Sequence, residues 1–362
     1  MIAPIKPSIK SLLLDELIEE LRPLNEPFYR ANQIATWIYR KRVRSFDSMS
    51  DLPQRLREHL KDKFAYSNLE VVRTLGGKDA TRKFLFRLSD GNLIESVLIP
   101  ASPALYGLRS DRRTICVSTQ VGCAYGCKFC ASGLDGWKRN LSADEIVDQI
   151  IAVEREASEH IDNIVFMGMG EPLANYENLL RAIRILNAPW GIGIGARHIT
   201  VSTSGLVPQI RKLADQPLQV RLAVSLHGAM DAVRSQIMPI NRKYNVEALF
   251  DACSYYNSRK KQRITFEYIL IANVNDTVDQ ARALAKRARD LEAKVNLIPY
   301  NTVEGLGWTR PPRPQQEKFL AVLRNAGVPA TLRREKGHDI AAACGQLRLQ
   351  TERALKADHS PE

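Results

Sequence analysis

The chain has no uninterrupted apolar run of about eighteen residues, so no single segment is long and greasy enough to cross a bilayer. Its opening, Met1-Ile-Ala-Pro-Ile-Lys6, lacks the continuous apolar stretch of a secretion signal. Cysteine is scarce, six in 362 residues. Without a secretion signal, that usage argues against structural disulfides and for thiol chemistry in a reducing compartment; the expected location is cytoplasmic. Acidic side chains are in deficit, 40 against 52 basic ones, for a formal charge of +12. Such a surplus favours nucleic acid or an anionic membrane surface as partner. No internal repeat stands out. What remains is ordinary for a globular protein, 44% hydrophobic and 25% charged, with length for a full core plus a small extra domain.

The few cysteines are concentrated. Cys123-Ala-Tyr-Gly-Cys127-Lys-Phe-Cys130 sets three thiols at C-x3-C-x2-C spacing in one tight loop. Iron–sulfur clusters are held by Cys thiolates, commonly four. Three from one loop point to a 4Fe-4S cluster with one iron left open to a ligand. The other readings are a structural zinc knot, which wants a second Cys or His pair that is not nearby, and plain buried thiols.

Read in order, the chain begins helical. Residues 8–21 carry Leu13, Leu14, Leu17, Ile18 and Leu21 at helical spacing. A second helix starts near Asn25-Glu-Pro27 and ends in Trp37, Tyr39 and the cations Arg40, Lys41, Arg42 and Arg44; a third follows Pro53. This basic and aromatic end is expected to contact RNA. From residue 69 to 100 the period becomes two, and a hairpin is expected with Asp90-Gly91 at its turn. Glu95 interrupts its second strand; on pattern alone it belongs on a solvated face. After a linker at 102–112, six strand–helix units follow, with Ser142-Ala-Asp-Glu145 as a capping box. Such alternation specifies an α/β fold with a parallel sheet, here a partial barrel. The expected division is a helical accessory domain at 1–65, a hairpin extension and linker at 66–108, a core at 109–350 and a polar, frayed tail at 351–362.

Working residues in wound βα folds gather at the carboxyl ends of the strands. There lie the cysteine loop, Gly168-Met-Gly-Glu-Pro172, Ser202-Thr-Ser-Gly205, Ser225-Leu-His227 and Asn301. Five polar segments on one rim read as a ligand pocket, although His227 alone would more often be a hydrogen-bonded core histidine. Cys116 lies on the first strand, expected at 114–118, Cys344 sits in a Gly-flanked segment after the barrel, and Cys253 reads as core.

The cysteine loop resembles that of the radical S-adenosylmethionine (SAM) enzymes. Together with Cys116-Val-Ser-Thr-Gln-Val-Gly-Cys123, Met167-Gly-Met-Gly-Glu-Pro-Leu-Ala-Asn175 and Gly337-His-Asp-Ile-Ala-Ala-Ala-Cys-Gly-Gln346, the chain resembles the RlmN/Cfr family of RNA adenine methyltransferases from about Phe28 to Leu349. The resemblance implies a (β/α)6 radical SAM barrel and a 4Fe-4S cluster on Cys123, Cys127 and Cys130. It implies SAM contacts from Gly170, Glu171, Ser202, Ser225, Leu226, His227 and Asn301. It makes Cys344 the methyl-carrying residue, Cys116 its resolving partner through a transient disulfide, and Glu95 a proton acceptor, against the pattern reading. Carbon 2 of adenine, between two ring nitrogens, is electron-poor and mismatched to an electrophilic methyl group. A thiolate is a good acceptor for that methyl, and the family route spends two SAM molecules. The implied substrates are an adenosine of 23S rRNA and the adenosine beside the anticodon of some tRNAs, the reductant a flavodoxin or ferredoxin. Target bases must be unstacked to enter the barrel. Gln120-Val-Gly-Cys123 and the long helical N-terminus favour the carbon-2 branch over the carbon-8, antibiotic-resistance branch. A radical SAM maturation enzyme acting on protein, and a cluster-bearing RNA binder without catalysis, are the readings from other classes.

Overall fold

The alternation of strand and helix resolves into one ten-stranded sheet. The computed structural model describes residues 6–77, 81–100, 112–134, 136–303, 305–333 and 346–357. Most of the 102–112 linker and the segment carrying Cys344 fall outside those residues. Three helices come first: α1 (Leu14–Leu21), α2 (Tyr29–Ala35) and α3 (Gln54–Lys63). The helix expected from residue 8 is broken. Ile9–Ser11 forms a single 3-10 turn, Leu12 and Leu13 are extended, and α1 starts at Leu14. The reason is a competing cap, because the Glu16 carboxylate accepts the Leu13 N–H at 2.9 Å.

Next come β1 (Glu70–Leu75), β2 (Arg82–Arg87) and β3 (Leu93–Pro100), all antiparallel. The Asp90-Gly91 turn forms as expected, with Gly91 at φ 81° and the Asp90 carboxylate accepting the Asn92 N–H at 3.0 Å. β3 pairs antiparallel with β4 (Arg113–Cys116), which hands the sheet over to parallel pairing.

A two-stranded ribbon, β5 (Gln120–Gly122) and β6 (Trp137–Asn140), brackets the cysteine loop. Then follow α4 (Ala143–Ala157), β7 (Asn163–Phe166), α5 (Tyr176–Asn187) and β8 (Ile199–Thr203). The chain continues through α6 (Val207–Ala214), β9 (Arg221–Ser225), α7 (Asp231–Ile237) and α8 (Val246–Lys260). It runs on through β10 (Thr265–Leu270), α9 (Val278–Asp290), β11 (Lys294–Pro299), α10 (Arg313–Asn325) and β12 (Ala330–Leu332). The sheet order is β1-β2-β3-β4-β7-β8-β9-β10-β11-β12. Strands β4 and β7 to β11 are the six parallel strands expected of the core, and β12 extends them by one.

The capping box of α4 is present, with the Glu145 carboxylate accepting the Ser142 N–H at 3.0 Å. A last helix, α11 (Gln346–Ala357), replaces the frayed tail expected after Glu352. Leu347 packs with Leu85 and Leu93 of the hairpin, an apolar contact no periodicity within α11 reveals.

The helical N-terminus is bolted to the barrel. Lys10 Nζ donates to Asp148 of α4 at 2.5 Å, both nearly fully buried. Arg181 bonds Glu16 at 2.5 Å, and Arg42 meets buried Glu154 at 2.5 Å. Arg40 donates to the Ile192 and Pro189 carbonyls at 3.0 and 2.8 Å. The basic cluster is therefore partly an internal joint. Arg40 and Arg42 hold the two parts together, although Arg40 is itself exposed, as are Lys41, over the Trp37 ring at 3.3 Å, and Arg44.

Candidate active site

Inside the barrel, at the carboxyl ends of its strands, lies a cavity of about 380 Å³. Its wall contains Cys123, Cys127 and Cys130, and also Cys116, Glu171, Ser202, Ser225, His227 and Asn301. Residues scattered over 186 positions of sequence (116 to 301) thus share one space. Gly170 lines it too. Leu226 does not line it: its side chain is buried, its N–H donates to the Glu267 carbonyl at 3.0 Å, and its carbonyl accepts from Arg234 at 3.1 Å.

The cysteine loop is held at three points. The Cys123 N–H donates to the Gly136 carbonyl at 2.9 Å, and the Lys128 N–H donates to the Ile237 carbonyl at 3.0 Å. The Phe129 ring meets the His227 imidazole edge-on, 4.7 Å between centroids. Burial pushes the Cys123 thiol up to about 12 and Cys127 well above its ordinary value, neighbouring thiols adding to the effect. Three soft donors lining one cavity suit the separate corners of an iron–sulfur cluster, which would reverse that penalty; among the described residues no three metal-ligating side chains are grouped closely enough for a single metal ion. Arg234, fully buried, places a positive charge that acts on Cys127. Its guanidinium donates to the Ser204 and Leu226 carbonyls at 2.5 and 3.1 Å and to Asn241 at 2.9 Å, tying two strand ends beneath the loop.

Glu171 is 3% exposed. Its two oxygens accept the Ser204 and Leu173 N–H groups at 2.7 and 3.0 Å, while burial raises its pKa. A buried carboxylate preorganised by backbone donors suits a ligand ammonium group. Gln120 completes this corner, accepting the Glu171 N–H at 2.8 Å and donating to Asn140 at 2.8 Å. Gly170, at φ 96°, has Gln120 where a Cβ would go, 2.5 Å away. Gln120 is part of the segment that favours the carbon-2 branch in sequence, but its bonds to Glu171 and Asn140 are not written there, and Arg234 did not stand out at all.

His227 adopts φ 54°, and its Nδ1 accepts the Ile269 N–H at 3.0 Å. Burial and the Arg234 charge push its pKa down to about 3, so the imidazole is neutral. It is both a hydrogen-bonded core histidine and part of the cavity wall. Asn301 reaches the cavity while accepting from Arg310 at 2.6 Å. Cys253 lies buried in α8, its thiol pushed up to about 12, as a core residue should be.

Glu95 corrects the pattern reading. It is 3% exposed, faces Lys83 Nζ at 3.2 Å and accepts the Arg348 N–H at 2.6 Å. A strand face that looks solvated in sequence is covered by α11. Lys83 itself lines the cavity. Cys344 lies outside the described residues, and among those residues no disulfide is present. No described helix is long and apolar enough to cross a membrane.

Comparison with known proteins matches this geometry. Residues 117–286 match the radical SAM superfamily, whose members imply a 4Fe-4S cluster and SAM, and residues 10–65 match the ribosomal RNA large subunit methyltransferase N-terminal domain. The chain is 54% identical, over 97% of its length and 96% of the relative's, to a probable dual-specificity RNA methyltransferase, RlmN 3, of Opitutus terrae. It is 51% identical, over 96% of its length and 97% of the relative's, to a probable dual-specificity RNA methyltransferase RlmN of Akkermansia muciniphila. Among solved structures, a radical SAM methyltransferase from Sphaerobacter thermophilus superposes with a TM-score of 0.87 at 46% identity, covering 94% of this chain and 98% of that one. With the cysteine loop, the rim residues and the N-terminal helices all accounted for, the chain belongs to the RlmN family of radical SAM RNA methyltransferases.

Proposed function

We propose that this enzyme methylates carbon 2 of an adenosine in 23S rRNA and of the adenosine beside the anticodon in some tRNAs, through a methyl group carried on Cys344. The observation that carries the proposal is the presence of Cys116 in the wall of the same cavity as the three loop cysteines. Cys123, Cys127 and Cys130 hold the cluster, and Glu171, Ser202, Ser225, His227 and Asn301, with the Gly170 and Leu226 backbone, hold SAM. When bound, the cluster and SAM supply one-electron cleavage of a carbon–sulfur bond, using an electron from a flavodoxin or ferredoxin and two SAM molecules per turnover.

The chain's own residues do the rest. Cys344 accepts the methyl group as a thiolate nucleophile. Arg348, four residues on, is bonded to Glu95, and four residues span at most about 14 Å. β3 runs antiparallel to β4, with Val97 opposite Cys116, so Glu95 stands just beyond Cys116 at the rim. That anchoring supports a Cys344 working within reach of Cys116. Cys116 releases the methylated base, and Glu95, beside the cavity-lining Lys83, takes up the proton lost from the ring. The barrel shields the reactive carbon from water, and a flipped or loop adenosine reaches it from the rim.

The test is anaerobic reconstitution with iron and sulfide, followed by reaction with SAM, a reductant and either a 23S rRNA fragment or tRNA. Mass spectrometry then maps the methyl group. Methyl on carbon 2 of both RNAs is expected. Methyl on carbon 8 would overturn the assignment in favour of the resistance-type branch.

A further inference from the structure

The strand register aligns Ser225 of β9, Glu267 of β10, Asn296 of β11 and Thr331 of β12 side by side. Phe266, one residue earlier, stacks outward on Phe250 of α8 at 5.1 Å, so Glu267 turns the other way, into the cavity. Only 8% of it is exposed, and Asn296 Nδ2 donates to its Oε2 at 2.7 Å. Asn296 is in turn fixed by Thr331 at 3.2 Å, and Arg333 borders the same wall. None of the SAM or cluster contacts assigned above uses this carboxyl group. Sinking it inside a barrel is costly unless a ligand completes its hydrogen bonds.

We propose that Glu267, positioned by Asn296, recognises the Watson–Crick edge of an adenine: its carboxylic hydroxyl donates to ring N1, and its carbonyl oxygen accepts from the N6 amino group. This rests on the reading of the enzyme as an adenosine methyltransferase, in which two adenines enter the cavity, one from SAM and one from the RNA. Burial is the supporting observation. It pushes the Glu267 carboxyl up to about 7, against an ordinary 4.5, so the neutral form with one donor and one acceptor is populated at neutral pH. A ribose diol offers two donors and would instead favour the ionised carboxylate, which burial opposes.

The test has two arms, both equilibrium binding measurements on the reconstituted enzyme. One compares SAM with an analogue whose adenine lacks the amino group; the other compares RNA carrying adenosine or purine riboside at the target position. Wild type is expected to lose affinity on the order of ten- to a hundredfold in one arm when the amino group is absent. Movement in the SAM arm assigns the base to SAM, and movement in the RNA arm assigns it to the substrate. Glu267→Met should abolish that preference, and Glu267→Gln, which offers the same donor–acceptor pair, should restore it. Equal affinity for the ligands with and without the amino group in both arms would overturn the proposal. So would a Gln variant as damaged as the Met variant, since charge would then be what matters. Methyl found on carbon 8 would leave both arms intact, so the two readings fail separately.

Discussion

The Arg348 backbone N–H donates to the Glu95 carboxylate at 2.6 Å across 253 positions of sequence. One oxygen of Glu95 thus holds the first turn of α11, while the other faces Lys83 at 3.2 Å. A single side chain joins the hairpin, the C-terminal helix and, through Lys83, the cavity wall.

Removing that carboxylate should loosen all three. Glu95→Ala is expected to cost roughly 3 kcal/mol, as for other broken buried ion pairs, read from urea denaturation. Glu95→Gln keeps an acceptor for the Arg348 N–H and should cost less, yet still abolish product if Glu95 takes the proton. Pairing it with Lys83→Met should recover stability but not activity. Full turnover by the Gln variant would remove Glu95 from the chemistry and leave it as an anchor.

Cys116 and Cys344 should fail differently. Cys344→Ala is expected to abolish methyl loading of the protein, measured by intact mass after incubation with SAM. Cys116→Ala should load normally and then trap a covalent protein–RNA adduct, visible as a slow band on a denaturing gel. Unmodified RNA with no adduct would sink the assigned division of labour.

His227 gives a pH signature. Its imidazole is held neutral when folded, with a pKa pushed down to about 3, whereas the unfolded chain takes up a proton near 6.5. A lowered pKa contributes stability that is complete above about 6.5 and is lost as the pH falls toward about 3, at up to about 1.4 kcal/mol per unit. His227→Asn tolerates the positive φ and can still accept the Ile269 N–H. Urea midpoints across that window should therefore fall more steeply for wild type than for the variant. Parallel curves would mean the imidazole is protonated without cost.

The joint between the N-terminal helices and the barrel separates affinity from stability. Arg42→Gln removes the partner of buried Glu154 and should lower the melting temperature by several degrees. Lys41→Gln with Arg44→Gln should leave stability nearly unchanged and reduce the slope of log RNA affinity against log salt by about 2, one unit for each phosphate no longer neutralised. An unchanged slope would show that RNA does not touch this end of the domain.

Much of this was legible from the residues alone. C-x3-C-x2-C spacing, the Asp90-Gly91 turn, the Ser142 capping box and the alternation of strands with helices are local signals, each written within a dozen residues. Glu95 was not legible, because what covers it is α11, and nothing near Glu95 announces a helix so far ahead. The same holds for Arg40 and Arg42, which read in sequence as part of an RNA-contacting end until their bonds to Pro189, Ile192 and Glu154 are seen. Arg234, Glu267 and the structural role of Gln120 escaped for a related reason. Each is an ordinary polar residue whose meaning comes only from the strand ends that surround it. The short ribbon β5–β6, and β12 with three residues, were below the length at which period two is recognisable.

The position of α11 also sets an order of events during synthesis. β2, β3 and the parallel strands leave the ribosome long before Arg348 does, so the barrel can assemble while its rim still lacks the helix that fastens onto Glu95. Until that late segment docks, the Glu95 carboxylate lacks the Arg348 N–H it accepts, and Leu85 and Leu93 lack the apolar cover of Leu347. A nascent chain therefore acquires its sheet before the helix that fastens onto Glu95.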